Sequence, residues 1–210
     1  MARLLHIDAS PRGPRSRSNM VAERLIAGLP DHEVERLSLF DIDLPAFDGA
    51  TIEGRYALIM GEPVDDAVRD DWAAIRSRID HFLSFDGWIF TVPMWNFGIP
   101  YRLKHYIDLI TQPDMAFRVV DGQGEGLAAG RRAILITSGA LDIRPDGAMA
   151  ALDFQLAYLR AWLGFIGVTD IDALHVRPTY GDGPSVEAAM AQAYADVDAL
   201  LAVLSLPSRV

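Results

Sequence analysis

"TVPMWNFGIPYRLKHYIDLI", residues 91–110, breaks a local rule. An apolar strand, Trp88–Val92, runs into Pro93, and Met94-Trp95-Asn96-Phe97 follow where a connector should be small and polar. Gly98-Ile99-Pro100 then opens a segment with Leu103, Tyr106, Ile107 and Ile110 at helical spacing. The stretch therefore reads as strand, greasy loop and helix (Pro100–Ile110). Strands alternating with helices build parallel sheets covered on both faces.

The same alternation extends in both directions. Upstream, Arg3–Asp8 reads as a buried strand, Ser18–Leu29 as a helix and residues 32–39 as an edge strand. Residues 41–63 carry Pro45, Gly49, Gly54, Gly61 and Pro63 and read as irregular. Val64–Ser84 is amphipathic, with Trp72, Ile75, Ile79, Phe82 and Leu83 on one helical face. Downstream, Phe117–Val120 is one arm of a hairpin ending near GQGEG, and Ala133–Thr137 is a continuous apolar strand. A helix over Asp146–Leu163, a strand over Val168–Val176 and a helix over Ser185–Leu204 complete the chain. Five strands favour a three-layer α/β sandwich with a parallel sheet in the order 2-1-3-4-5.

In such a sheet, ligands sit beyond the carboxyl ends of the strands where the order reverses. Three loops occupy those ends: ASPRGPRSRSN after Asp8, PMWNFGIP after Val92 and SGALDIRPDG after Thr137. In the first, Ser10, Ser16 and Ser18 offer hydroxyls beside the unpaired N–H groups of a helix start, which suit a phosphate. Arg12, Arg15 and Arg17 add local positive charge. A capped helix under a solvated basic loop would look the same. In the second, Met94, Trp95 and Phe97 can wall a flat ring, Asn96 offers it a donor and an acceptor, and Gly98 permits positive φ or close approach. A hydrophobic loop under another loop, or a dimer contact, is the rival reading. In the third, Gly139 lets the main chain approach a ligand, although a plain strand-to-helix turn needs no more.

Composition narrows the classes. The 210 residues are 50% hydrophobic with no linker-like tract, so one domain spans 1–210. A formal net charge of −10 lacks the basic footprint of nucleic-acid binding. The absence of cysteine excludes disulfides and thiol catalysis and fits the cytoplasm. The N-terminal apolar stretch is too short for a signal peptide, and Gly87–Tyr101, the longest uncharged stretch, falls short of a membrane span of about 18 residues. The five histidines show no metal-ligand spacing, and the carboxylates form no recognisable acid/base pair; His105 alone lies near the aromatic loop. A bound cofactor carrying the chemistry fits this shortage of side-chain catalysts. Residues 152–166 carry two apolar stripes, Leu152, Leu156, Leu159, Leu163 and Phe154, Tyr158, Trp162, Phe165; one can cover the sheet and the other meet a partner subunit or the chain's own domain.

Taken together, "SPR" (10–12), "SRSN" (16–19), "PMWNFGIPYRLKHYIDLI" (93–110), "AFRVVDGQGEGLAAGRRAILITSG" (116–139) and "LGFIGVTDI" (163–171) resemble the FMN-dependent NADH:azoreductase and NADH:quinone reductase family, of flavodoxin-like fold. The resemblance implies a homodimer with one FMN per subunit, NADH or NADPH as co-substrate, and quinones or azo compounds as acceptors. It places the FMN phosphate and ribityl end at Ser10, Arg12, Ser16, Arg17 and Ser18. The isoalloxazine would lie along Pro93, Met94, Trp95, Asn96, Phe97 and Gly98, with its other edge at Ser138, Gly139, Ala140 and Leu141. Phe117 and Val119 would touch the substrate, across the dimer interface. No side chain is implied as an acid or base, because hydride would pass in two steps through FMN N5. The chain departs from the family pattern at Ala140-Leu141, where many members have a further Gly, at Ala116 for Thr, at Val119-Val120, where some have an aromatic residue, and at Trp95, a Tyr in some members. A flavodoxin-like electron carrier, a regulatory subunit, or a domain binding another phosphorylated aromatic such as a nucleotide are the alternatives.

Overall fold

In the computed structural model, which describes residues 1–143, 147 and 149–204, strand β3 (Gly87–Pro93) lies at the centre of a five-stranded parallel sheet. Its neighbours are β1 (Ala2–Asp8) and β6 (Arg132–Ser138), and the edges are β2 (His32–Ser38) and β7 (Asp170–Val176). The order is β2-β1-β3-β6-β7. It is the expected 2-1-3-4-5 order once β4 (Phe117–Val120) and β5 (Gln123–Gly126), which form a separate antiparallel hairpin, are set aside. Register places Asp8 beside Thr91 and Pro93 beside Ser138, so the three ligand loops leave the sheet from adjacent strands about 5 Å apart.

Burial on both faces explains the uninterrupted apolar strands. Trp88, Phe90 and Val92 point into one core layer with Leu5, Ile7 and Leu135, beneath α3 (Asp66–Leu83), α4 (Tyr101–Ile110) and α5 (Phe154–Phe165). Ile89, Ile134 and Ile136 point the other way, under α1 (Arg17–Ala27) and α6 (Gly183–Leu204). Phe82 and Trp88 stack at 4.4 Å, and Trp162 meets Phe90 edge-on at 5.9 Å.

Residues 41–63 are not wholly irregular: α2 spans Gly49–Met60. Each glycine there is compatible with the helix. Gly49 follows the cap Asp48, whose side chain accepts the Thr51 N–H. A Cβ on Gly54 would lie 2.1 Å from Val68 Cγ1, so this glycine permits close packing on α3. Gly61 ends the helix at φ 72°.

The expected helix over Asp146–Leu163 is also shorter. A 3-10 turn, Ala150–Leu152, precedes α5, which starts where Asp153 accepts the Leu156 N–H at 2.9 Å; Asp146 lies outside the described residues. The helix ends in a Schellman motif, with Val168 N–H bonded to Leu163 O and Gly167 N–H to Gly164 O around Gly167 at φ 99°. Val168 thus belongs to the cap, and β7 begins two residues later than its apolar pattern suggests. The second stripe of α5 divides. Trp162 is buried, its Nε1 donating to Thr111 Oγ1 at 2.9 Å, while Phe154 and Phe165 are exposed. Among the described residues, no helix is long and apolar enough to cross a membrane.

Candidate functional site

The first loop leaves β1 at Asp8, turns through Gly13 at φ 53° and enters α1 at Ser16. Ser16 Oγ caps the helix by accepting the Asn19 N–H at 3.4 Å and lies 3.1 Å from Ser18 Oγ. Ser10, Ser16, Ser18 and Asn19 are all buried, whereas Arg12 and Arg15 are exposed and Arg17 is half-buried. The N–H groups of Arg17 and Ser18, the first two of the helix, have no intrahelical acceptor and are free for an anion.

Beneath this loop, the carboxylate of Asp8 organises the backbone. It accepts from Ser10 N–H at 2.9 Å, Asn19 Nδ2 at 2.8 Å, Arg36 at 2.7 Å and Thr91 Oγ1 at 3.3 Å. Thr91 gives its proton to Asp8, so His6 Nε2, 3.1 Å away, must donate to Thr91. Burial lowers the His6 pKa to about 4, with the nearby Asp8 opposing the shift and Arg36 adding to it. Asp8 and Arg36 are positioning residues that the loop motif alone did not reveal. The available signal was a carboxylate at the end of a strand that reads as buried. A cleft of about 450 Å³ opens here, between Ser10, Pro11, Gly13 and Pro14 on one side and Arg36, Ser38 and Phe40 on the other.

The second loop is a two-residue turn. Trp95 and Gly98 exchange N–H···O=C bonds of 3.0 Å in both directions, while Asn96 (φ 48°) and Phe97 (φ 70°) occupy the left-handed region. That is a type I′ turn, in which both central residues need positive φ. Asn tolerates this conformation; Phe does not do so readily and holds it under strain. Gly98 itself does not have positive φ, and a Cβ there would meet only Trp95 O at 3.8 Å, so neither conformation nor close approach demands that glycine. Asn96 and the rings of Trp95 and Phe97 remain exposed at the turn, while Pro93 and Met94 are half-buried. Phe40 and Tyr101 flank the Trp95 ring at 6.0 and 6.1 Å.

The third loop is tied to the second by Met94 N–H donating to Ser138 O at 2.6 Å. Gly139 is buried, its N–H bonded to Val176 O, and an added Cβ would lie 3.6 Å from Met94 Cβ. Ala140 and Leu141 turn outward and are exposed. On the hairpin, Phe117 packs against Phe165 at 4.6 Å, and Val119 is exposed. His105 lies elsewhere, its Nε2 donating to Pro45 O at 2.8 Å, and so takes a structural role. The first three loops therefore meet at one end of the sheet, and the hairpin is held by the end of α5.

A family model described as "Flavodoxin-like fold" matches residues 2–201. An FMN-dependent NADH:quinone oxidoreductase of Nitratidesulfovibrio vulgaris (strain DP4) is 39% identical over 189 residues, covering 88% of this chain and 90% of the relative. FMN-dependent NADH:quinone oxidoreductase 2 of Pseudomonas syringae pv. tomato is 37% identical over 206 residues, covering 96% and 98%. The chain belongs to the FMN-dependent NADH:quinone oxidoreductase family. The crystal structure of an FMN-dependent NADH-azoreductase from Bacillus anthracis in complex with FMN shares the fold, with a TM-score of 0.88, 21% identity and coverage of 98% and 100%.

The family implies FMN, and the residues present fit it. The α1 start has free N–H donors and buried hydroxyls for a phosphate. Asn19 Oδ1 is a buried acceptor without a partner among the described residues, which a hydroxyl-bearing ribityl chain would satisfy. The strained turn leaves two aromatic rings exposed, and Met94 N–H ties its base to Ser138 O of the third loop, so apolar walls for a flat ring stand at the sheet end.

Proposed function

We propose that this protein is an FMN-dependent oxidoreductase that uses NADH to reduce quinones or azo compounds. The observation that carries the reading is the convergence of an anion-ready helix start, a strained aromatic turn and the loop after Ser138 on three adjacent strand ends. Held there, FMN would supply the two-electron redox chemistry that links reduced nicotinamide to the acceptor in two separate half-reactions.

The chain's own residues bind, orient and exclude water. Ser10, Ser16, Ser18 and the first N–H groups of α1 hold the phosphate, with Arg12 and Arg17 adding positive charge. Pro93, Met94, Trp95, Asn96, Phe97 and Gly98 wall the ring, with the Asn96 amide as its polar contact. Ser138 and Gly139 bring main chain to the opposite edge, and Ala140 and Leu141 extend that wall. Phe117 and Val119 face the acceptor. No side chain need act as acid or base.

The exposed Phe154, Phe165 and Val119 support a homodimer that closes over the site. The family match over residues 2–201 supports one domain throughout, and the lack of cysteine supports a cytoplasmic location. The purified protein should be yellow or take up added FMN, and should oxidise NADH when a simple benzoquinone is present. A colourless protein that takes up no FMN overturns the reading. A yellow protein that never oxidises NADH or NADPH points instead to an electron carrier or regulatory subunit.

A further inference from the structure

A buried guanidinium stands behind the third loop. Arg177 follows β7, and its side chain is only 2% exposed. Its Nη1 donates to Ile143 O at 2.6 Å and Asp153 Oδ2 at 2.7 Å, and its Nη2 donates to Gln155 Oε1 at 2.8 Å. Gln155 is fully buried, and its own Nε2 donates to Val92 O at 2.9 Å, at the root of the second loop. Arg177 Nε has no partner among the described residues and faces Gly139, where an added Cβ would sit 3.4 Å from it. One side chain thus ties both ring-contacting loops to the start of α5. A buried cation of this kind is tolerated because Asp153 opposes its charge and Ile143 O and Gln155 Oε1 accept from its two Nη groups. A sheet end that needed only packing would be served by apolar residues at lower desolvation cost.

We propose that Arg177 is a positioning residue for the second and third loops, and that the Arg177–Asp153 pair sets the affinity and reduction potential of the flavin they hold. The proposal rests on the FMN reading above. The reduced ring carries more negative charge than the oxidised ring, so the field behind Gly139 acts on the difference between them. Removing the cation leaves Asp153 uncompensated, and removing the anion leaves Arg177 uncompensated. The two changes therefore act with opposite sign.

The test compares Arg177→Met, Arg177→Lys and Asp153→Asn with the unaltered protein. Asn can still accept the Leu156 N–H that Asp153 now accepts, so Asp153→Asn keeps the α5 cap while removing the charge. FMN fluorescence titration of the apoprotein gives affinity, and equilibrium redox titration gives the midpoint potential. Arg177→Met should weaken FMN binding at least about tenfold through displacement of the two loops, and lower the potential. Asp153→Asn should raise the potential, and Arg177→Lys should restore part of both losses. Shifts of the same sign in Arg177→Met and Asp153→Asn, or none in either, overturn the proposal. Should Arg177→Met not fold, the sign of the Asp153→Asn shift decides. An unaltered protein that binds no FMN overturns both this proposal and the functional reading; normal binding with unmoved variants overturns this one alone.

Discussion

Trp95 and Gly98 face each other across a turn of two residues, each N–H bonded to the other's carbonyl at 3.0 Å. The pair forces Asn96 and Phe97 into positive φ, so Asn96 is placed there for its backbone as well as for its amide. Two substitutions separate these roles. Asn96→Gly keeps the turn and removes the amide; Asn96→Leu disturbs both. In urea unfolding of the apoprotein, Asn96→Leu should cost about 1 kcal/mol and Asn96→Gly less than about 0.5. Both should weaken FMN binding. Full affinity in Asn96→Gly would show that only the turn geometry matters.

Asp8 accepts hydrogen bonds from four groups at the base of the first loop, and its removal would leave Asn19 Nδ2 with Gly13 O alone at 3.5 Å and take this acceptor from the other three. The Arg36 side chain is half exposed and can turn to water, so the cost falls below that of a fully buried pair. Asp8→Ala should lose about 2–3 kcal/mol in denaturant unfolding and weaken FMN binding by loosening Ser10 and Asn19. A loss under about 1 kcal/mol would show that water replaces the carboxylate.

Apolar periodicity located the helices, and continuous apolar runs located β3 and β6, because two-sided burial leaves a direct mark on composition. It also identified the three loops, since greasy or hydroxyl-rich residues at strand ends depart from ordinary loop chemistry. α2 was hidden because glycine reads as a breaker, whereas Gly54 is required by contact with Val68, a tertiary demand that no local pattern carries. Arg177 was hidden for the same reason: beyond a strand end it looks solvated, and only the fold brings Asp153, Gln155 and Ile143 O around it. The two apolar stripes of α5 do not say by themselves which faces the core; Trp162 shares a helical stripe with the exposed Phe154 and Phe165, yet its indole is drawn inward by Phe90 and Thr111.

His6 makes stability depend on acidity. Its pKa falls from 6.5 to about 4 in the folded protein, chiefly because burial disfavours the charged ring. Between these values the unfolded chain binds the proton and the folded chain does not, so stability declines as pH falls from about 6.5 toward 4 and this contribution levels off below. His175, also lowered by burial, acts in the same direction. From pH 7 to 5, His6 should account for a loss of about 2 kcal/mol. His6→Gln, which keeps a hydrogen-bonding end toward Thr91, should remove that part. An unchanged slope in the variant would mean that the buried imidazole does not govern the acid side.

The hairpin bearing Phe117 and Val119 is held by two glycines in contact. A Cβ on Gly126 would sit 1.9 Å from Ile166 C and 2.1 Å from Gly167 N, both main-chain atoms that end α5. No side-chain rotation relieves such an overlap, so Gly126→Ala must push the hairpin off the helix end. That separates Phe117 from Phe165, now 4.6 Å apart, and breaks the Ala128 N–H bond to Ile166 O at 2.8 Å. The cost should be at least about 2–3 kcal/mol of folding stability. The sheet-end loops lie on other strands, so FMN affinity should change little, while KM for a quinone should rise. Loss of FMN binding alongside unchanged quinone KM would mean that the hairpin supports the cofactor and not the acceptor.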